Sequence, residues 1–387
     1  MPRPLGARHI TALDGIRGLA ILAVMFDHAQ IIWDGASVGW WRAFTELGQH
    51  GVDLFFVLSG FLITGILDAS RESEHYFRNF YLRRALRIFP LYYLFLAIAF
   101  FVQPHLVHKP DVAAGYRAWF WLYGSNFLIS RHSWFETSPF NVNLTWSLAI
   151  EEQFYIVWPM IVLLFRGAAL RRICIGVVCF STLFRLCAEL MHTGIVSVYV
   201  LTPSRLDALA LGAWTVLALR DPAYQGAFWI KNRLPIGIAA LTVGVIASLC
   251  ASRFPETRGL QEAAQVADML AFAIGFAALI SEAALVGSST VAVKVLSNPL
   301  LVQYGKLSYF IYLFHWPVMR ICTLAIRYHD VPGTGRFGVL SGPIFWVLAF
   351  FLPLLPAWIS WQIFEKQLLK LKRFFPAHEG VAEPVTK

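Results

Sequence analysis

Ten apolar runs, each near the length of a bilayer crossing, constrain this chain more than any other feature. They lie at about 13–33, 51–69, 85–103, 145–165, 173–191, 205–219, 234–251, 265–286, 307–327 and 340–362. A helix needs about 20 mainly apolar residues to cross the hydrocarbon core. Lipid offers no partner to backbone N–H and C=O groups, so each run must satisfy its own as a helix. The sequence therefore predicts an all-α, polytopic integral membrane protein of about ten transmembrane helices. The run 205–219 is short and needs its neighbours to tilt it into place, while 119–129 is too short to span and reads as interfacial or re-entrant.

Composition agrees. Hydrophobic residues make up 58% of the 387 and charged residues 14%, against about 25% charged in an ordinary soluble domain. Fourteen Trp and 13 Tyr suit the aromatic belts at membrane interfaces. The net charge of +9 does not point to nucleic acid, because the basic residues sit in short loops between apolar runs. With the N-terminus placed in the cytoplasm, most Lys and Arg fall in inside segments, so both termini are expected to be cytoplasmic. The first run carries Asp14 and Arg17 and is long enough to stay in the membrane, unlike a cleavable signal. The expected location is the cell membrane, as a multi-pass protein. Cys174, Cys179, Cys187, Cys250 and Cys322 form no C-x-x-C pair, so neither a disulfide framework nor a metal site is expected. No internal repeat or linker divides the chain. It reads as one domain, 1–387, with a core of about 10–365 and a basic tail at 366–387.

Ionisable groups in lipid are expensive and mark function. In the first run, Arg17 and His28 are eleven residues apart. On a helix that is roughly 16 Å along the axis and within about 20° of the same face. One stripe therefore carries a cation near the cytoplasmic end and an imidazole beyond the midplane. Asp14, three residues before Arg17, is placed to pair with it. A neutral His28 can take a proton from a hydroxyl, or it can simply hydrogen-bond to a neighbouring helix. Asp27 is adjacent in sequence and points elsewhere on the helix, which makes it a poor orienter for His28.

Further runs combine apolar helix with placed polar residues. They include His50-Gly51-Val52-Asp53-Leu54-Phe55-Phe56, Arg83-Arg84-Ala85-Leu86-Arg87, Trp146-Ser147-Leu148-Ala149-Ile150-Glu151-Glu152, Ser204-Arg205-Leu206-Asp207, and Ser308-Tyr309-Phe310-Ile311-Tyr312-Leu313-Phe314-His315-Trp316-Pro317. With Leu13-Asp14-Gly15-Ile16-Arg17-Gly18, and in this order, they resemble the bacterial acyltransferase-3 family of membrane O-acyltransferases from about residue 10 to Glu365. The resemblance implies a ten-helix membrane domain that moves an acetyl or other short acyl group from acyl-CoA to a carbohydrate hydroxyl. The family's arginine-x10-histidine motif maps onto Arg17 and His28, its arginine-x-x-arginine motif onto Arg84 and Arg87, and its acidic motif onto Glu151 and Glu152. Many relatives carry an extracytoplasmic hydrolase-like domain. None follows in this sequence, so any acceptor-handling partner is expected to be separate or unnecessary.

The residues suggest roles beside that resemblance. Arg84 and Arg87 share a helix face and present forks of donors suited to phosphate. With Arg17 they are expected to hold the donor's phosphates, the alternative being an anchor on anionic lipid. His28 and Glu151 are the expected catalytic pair, Glu151 positioning the acceptor or orienting His28. Glu152 is expected either at the acceptor or paired with a cation such as Arg205. Asp53 either meets the acceptor or caps its helix. His315, before the kink expected at Pro317, is a candidate for lining the cavity. Arg205 and Asp207 are read as packing residues, and Glu365 with Lys366 as an interfacial pair. No bound cofactor is expected; acyl-CoA, a carbohydrate or glycolipid acceptor and the bilayer are the expected partners. His28 either deprotonates the acceptor directly or first accepts the acyl group. The resemblance implies acceptors such as O-antigen of lipopolysaccharide, other exported glycans, and secreted small molecules such as macrolides. A transporter of a glycan precursor is the competing class, although the paired broken helices of many carriers are not evident.

Overall fold

The computed structural model describes residues 10–34, 40–107, 114–135, 139–224, 226–253, 258–285, 290–329 and 341–376. Ten helices are long and apolar enough to cross a bilayer: α1 (Thr11–Trp33), α2 (Trp41–Ala69), α3 (Tyr76–His105), α4 (Val142–Leu164), α5 (Gly167–Leu190), α6 (Ile195–Arg220), α7 (Arg233–Ser252), α8 (Gly259–Ala284), α9 (Pro299–Arg327) and α10 (Ser341–Phe374). Among the described residues there is no strand. The chain is a multi-pass membrane protein. Several helices run past the apolar run that announced them. α9 begins eight residues before 307 and α3 nine before 85, because polar residues at helix ends leave the lipid without ending the backbone ladder.

Close backbone approach sets the crossings. α1 lies along α9, and α2 along α6. A Cβ added to Gly18 would sit 2.0 Å from the Leu301 carbonyl oxygen, and one added to Gly305 would sit 1.8 Å from that of Asp14. At the other crossing the same holds for Gly60 against Leu209 and Gly212 against Val57, each 1.9 Å. Helix association in lipid rests on such packing of small residues. These contacts bring the Arg17–His28 stripe of α1 against α9 and place α2 beside both α1 and α6.

The short sixth run is completed by Ile195–Val200, after which Leu201 is extended (φ −73°, ψ 137°) ahead of Pro203. A break inside a membrane protein needs new partners for its freed backbone. Asn126 Nδ2 donates to the freed Val200 carbonyl (3.3 Å) and also to the Thr202 side-chain Oγ1 (2.9 Å), and Gln153 Nε2 in turn donates to Asn126 Oδ1 (2.9 Å). Asn126 belongs to the segment read as interfacial or re-entrant. That segment forms two short helices, Arg117–Trp121 and Ser125–His132, and does not span. Phe120, Ser125, Asn126, Leu128 and Ile129 are buried, so protein rather than lipid surrounds much of it.

Helical structure continues through Phe374. Asn79 Nδ2 donates to the Pro376 carbonyl and Arg83 Nη1 to that of Phe375, both at 3.0 Å. The backbone groups after α10 are thus tied to the start of α3; residues 377–387 lie outside the described residues. Arg83 serves this tie. Glu365 accepts from Ser360 Oγ (3.1 Å) one turn away rather than pairing with Lys366.

Candidate functional site

One cavity opens between α1, α2, α3, α4 and α9. It is lined by Arg17, Arg84, Arg87 and Glu151, with Ser59, Tyr155, Ser147, Tyr309 and Tyr312 among the other contacts. About 790 Å³ of empty space lies between these side chains, open solvent at its mouth included. Arg17 Nη1 donates to Asp14 Oδ1 at 2.6 Å, the i,i+3 pair expected from the sequence. Arg84 lies 4.5 Å from the centre of the Tyr155 ring. Neither Arg84 nor Arg87 has an ion-pair partner among the described residues. Three guanidinium groups thus share one cavity with two carboxylates, Asp14 and Glu151, close by. Such a surplus of fork-shaped donors suits a polyanion.

Glu151 needs a correction of place. It was expected with His28, and it lies instead at the arginine end. Its Oε2 accepts from Tyr155 Oη (2.9 Å), and Tyr155 Oη also bonds Ser59 Oγ. Tyr155 is one turn from Glu151 on α4, and Ser147 is one turn the other way, so the i,i+4 spacing of this helix was the available signal for both. Ser147 Oγ bonds Tyr312 Oη at 2.5 Å, across from α9. Tyr309 donates to the Ile88 carbonyl at 2.8 Å and closes the wall toward α3.

His28 does not line this cavity. It stands further along α1, where its Nδ1 lies 2.7 Å from His315 Nε2 with the rings nearly parallel, 3° apart. The Trp316 ring meets His28 edge-on, centroids 5.1 Å apart. His315 is completely buried, and its Nδ1 is 2.8 Å from the Ile311 carbonyl oxygen. His315, considered for the cavity wall, therefore touches His28 instead. Tyr312, three residues earlier on the same helix, lines the cavity. Asp27 Oδ2 is 4.0 Å from His28 Nε2, too far for a hydrogen bond.

Asp53 and Glu152 belong elsewhere. The residue capping Gly51–Ala69 is His50, without a side-chain cap bond, so Asp53 caps nothing. It is buried, accepting from Arg205 Nη2 (2.6 Å) and bonded to His50 Nδ1 (2.9 Å). The chain of contacts runs on through Ser248 to Asp268. Arg205 is thereby taken by Asp53 and not by Glu152, and Asp207 pairs with Arg185 at 2.6 Å. Glu152 is buried, and its Oε1 has no hydrogen-bond partner among the described residues. A buried pair that loses one member leaves the other charge stranded, at a cost of about 3 kcal/mol or more. Asp53→Asn is therefore expected to lower thermal stability in detergent, with no change in acceptor KM in the protein that survives. An equally stable variant with a raised acceptor KM would return Asp53 to the acceptor's side.

The profile of a family described as "Acyltransferase domain" matches residues 10–362. Among curated proteins, the chain is 28% identical over 333 residues to the peptidoglycan O-acetyltransferase OatA of Listeria monocytogenes, covering 82% of this chain and 50% of that one. It is 30% identical over 388 residues to YrhL of Bacillus subtilis, provisionally named a peptidoglycan O-acetyltransferase, covering 93% and 55%. The chain thus spans about half the length of these relatives. No solved structure matches it.

Proposed function

We infer the activity of this chain from one premise, that it belongs to the acyltransferase-3 family. The proposed function is membrane-bound O-acyl transfer, from acyl-CoA on the cytoplasmic side to a hydroxyl of a cell-envelope carbohydrate. Acetyl is the favoured acyl group and a peptidoglycan-type glycan the favoured acceptor, following the names of the relatives. The observation that carries this reading is the shared cavity of Arg17, Arg84 and Arg87 at one end of α1, with His28 further along that helix.

The donor's phosphates bind the three arginines, and the pantetheine arm runs along α1 toward His28. Both chain termini are then cytoplasmic, on the side where acyl-CoA is found. The acceptor oxygen attacks the thioester carbonyl carbon while the His28 imidazole takes the hydroxyl proton. The C–S bond breaks, and the CoA thiolate receives that proton from the imidazolium. One ester and one thiol leave with no net proton. Glu151 acts at the donor end, where its bond to Tyr155 steadies the ring on which Arg84 rests.

Membranes containing this chain, given acetyl-CoA labelled in the acetyl group and an envelope glycan fraction, are expected to place label in alkali-labile esters on the glycan. Accumulation of a glycan precursor in vesicles without label transfer would instead support the carrier reading.

A further inference from the structure

We propose that His315 is a positioning residue, holding His28 in the tautomer whose Nε2 carries the free lone pair. The inference deepens the proposed acyl transfer, on which only its kinetic test depends.

The argument is one of donors and acceptors. A carbonyl oxygen only accepts, so His315 Nδ1, 2.8 Å from the Ile311 carbonyl, must be the N–H of that contact. A neutral imidazole has one N–H, which leaves His315 Nε2 as an acceptor. The doubly protonated form is disfavoured because His315 is completely buried and no carboxylate lies within ion-pair distance of it among the described residues. At 2.7 Å from that Nε2, His28 Nδ1 must then donate. The single ring proton of a neutral His28 is thereby assigned, and its Nε2 is left as a base.

Among the described residues, no protein group is hydrogen-bonded to that Nε2. The charged group that faces it, Asp27, is 4.0 Å away, and Trp316 contributes only a ring edge. The i,i+4 geometry of α9 anchors the arrangement, since Ile311 and His315 are one turn apart. Without the α9 partner, His28 Nδ1–H and Nε2–H forms would interchange, and the proton-accepting nitrogen would point at the reaction only part of the time. A base used through the other ring nitrogen of a bonded partner is ordinary histidine chemistry.

The test has two arms. In the protein as isolated, with ¹⁵N-labelled histidine and His28 assigned by comparison with His28→Ala, the expected spectrum has Nδ1 protonated and Nε2 unprotonated at His28. The reverse tautomer overturns the proposal. This arm needs no substrate, so its failure is distinct from failure of the acyl-transfer reading. In the kinetic arm, His315→Leu is expected to lower kcat by about 10- to 100-fold, a part of the usual general-base contribution, with KM for acyl-CoA unchanged. His315→Gln, whose amide oxygen can accept from His28 Nδ1–H, is expected to recover most of the loss. A His315→Leu protein as fast as the parent, or a folded His315→Gln protein as slow as His315→Leu, overturns it. The first result would leave His315 a packing residue, and the second would require its imidazole in the chemistry itself.

Discussion

His28→Ala is expected to lose about 10²- to 10⁴-fold in acyl transfer, the usual contribution of a positioned general base, while acyl-CoA binding stays near that of the parent. The two readouts separate because the imidazole and the arginines occupy different places. Arg17, Arg84 and Arg87 line the cavity and His28 does not. Removing the imidazole strips one hydrogen bond from His315 and leaves no charge stranded in the bundle. Insertion and thermal stability should therefore change little, and a loss of activity can be read as chemistry. Binding is measured with a non-hydrolysable acyl-CoA analogue, and transfer with the labelled thioester. A His28→Ala protein, normally inserted, that modifies its acceptor as fast as the parent would remove the imidazole from the mechanism.

The second large effect belongs to the arginines proposed to hold the donor. Hydrogen bonds to charged groups contribute about 1.5–3 kcal/mol each. Losing one from each of two arginines amounts to about 3 kcal/mol or more, roughly a hundredfold in KM. Arg84→Ala/Arg87→Ala is expected to raise KM for acyl-CoA by about that factor and to leave kcat with saturating donor much less affected. Acyl pantetheine, which lacks the phosphates, provides the control. Parent and double variant should use it equally poorly, because the groups that distinguish them have nothing to bind. If the variant is equally impaired with both donors, the arginines act through the fold, with Arg84 serving chiefly as the cap on the Tyr155 ring. If neither donor is affected, the pair is an anchor for anionic lipid.

The arginine end was legible from sequence to a useful depth, and the imidazole end was not. Arg84 and Arg87 are three residues apart, and helical geometry alone puts them on one face. Their convergence with Arg17 in a single cavity came from the way α1 and α3 pack. Glu151 was legible as a functional candidate but not in its place. Its neighbours Tyr155 and Ser147 were available by the same spacing rule, while the distance from His28 depended on how α4 lies against α1. The contact between His28 and His315 joins residues 287 positions apart, and that between Asp53 and Arg205 joins residues 152 apart. No periodicity within one helix carries information about either.

Taken by itself, then, the sequence determined the solvent, the secondary structure and the faces. Lipid leaves a backbone no partner but its own ladder, and a 3.6-residue turn decides which side chains of one helix stand together. Tertiary structure alone decided the partners between helices. Backbones at Gly18 and Gly305, and at Gly60 and Gly212, approach too closely for any side chain. Those crossings fix which polar residue of one helix meets which of another. His28 therefore has His315 beside it rather than Glu151, and Arg205 has Asp53 rather than Glu152.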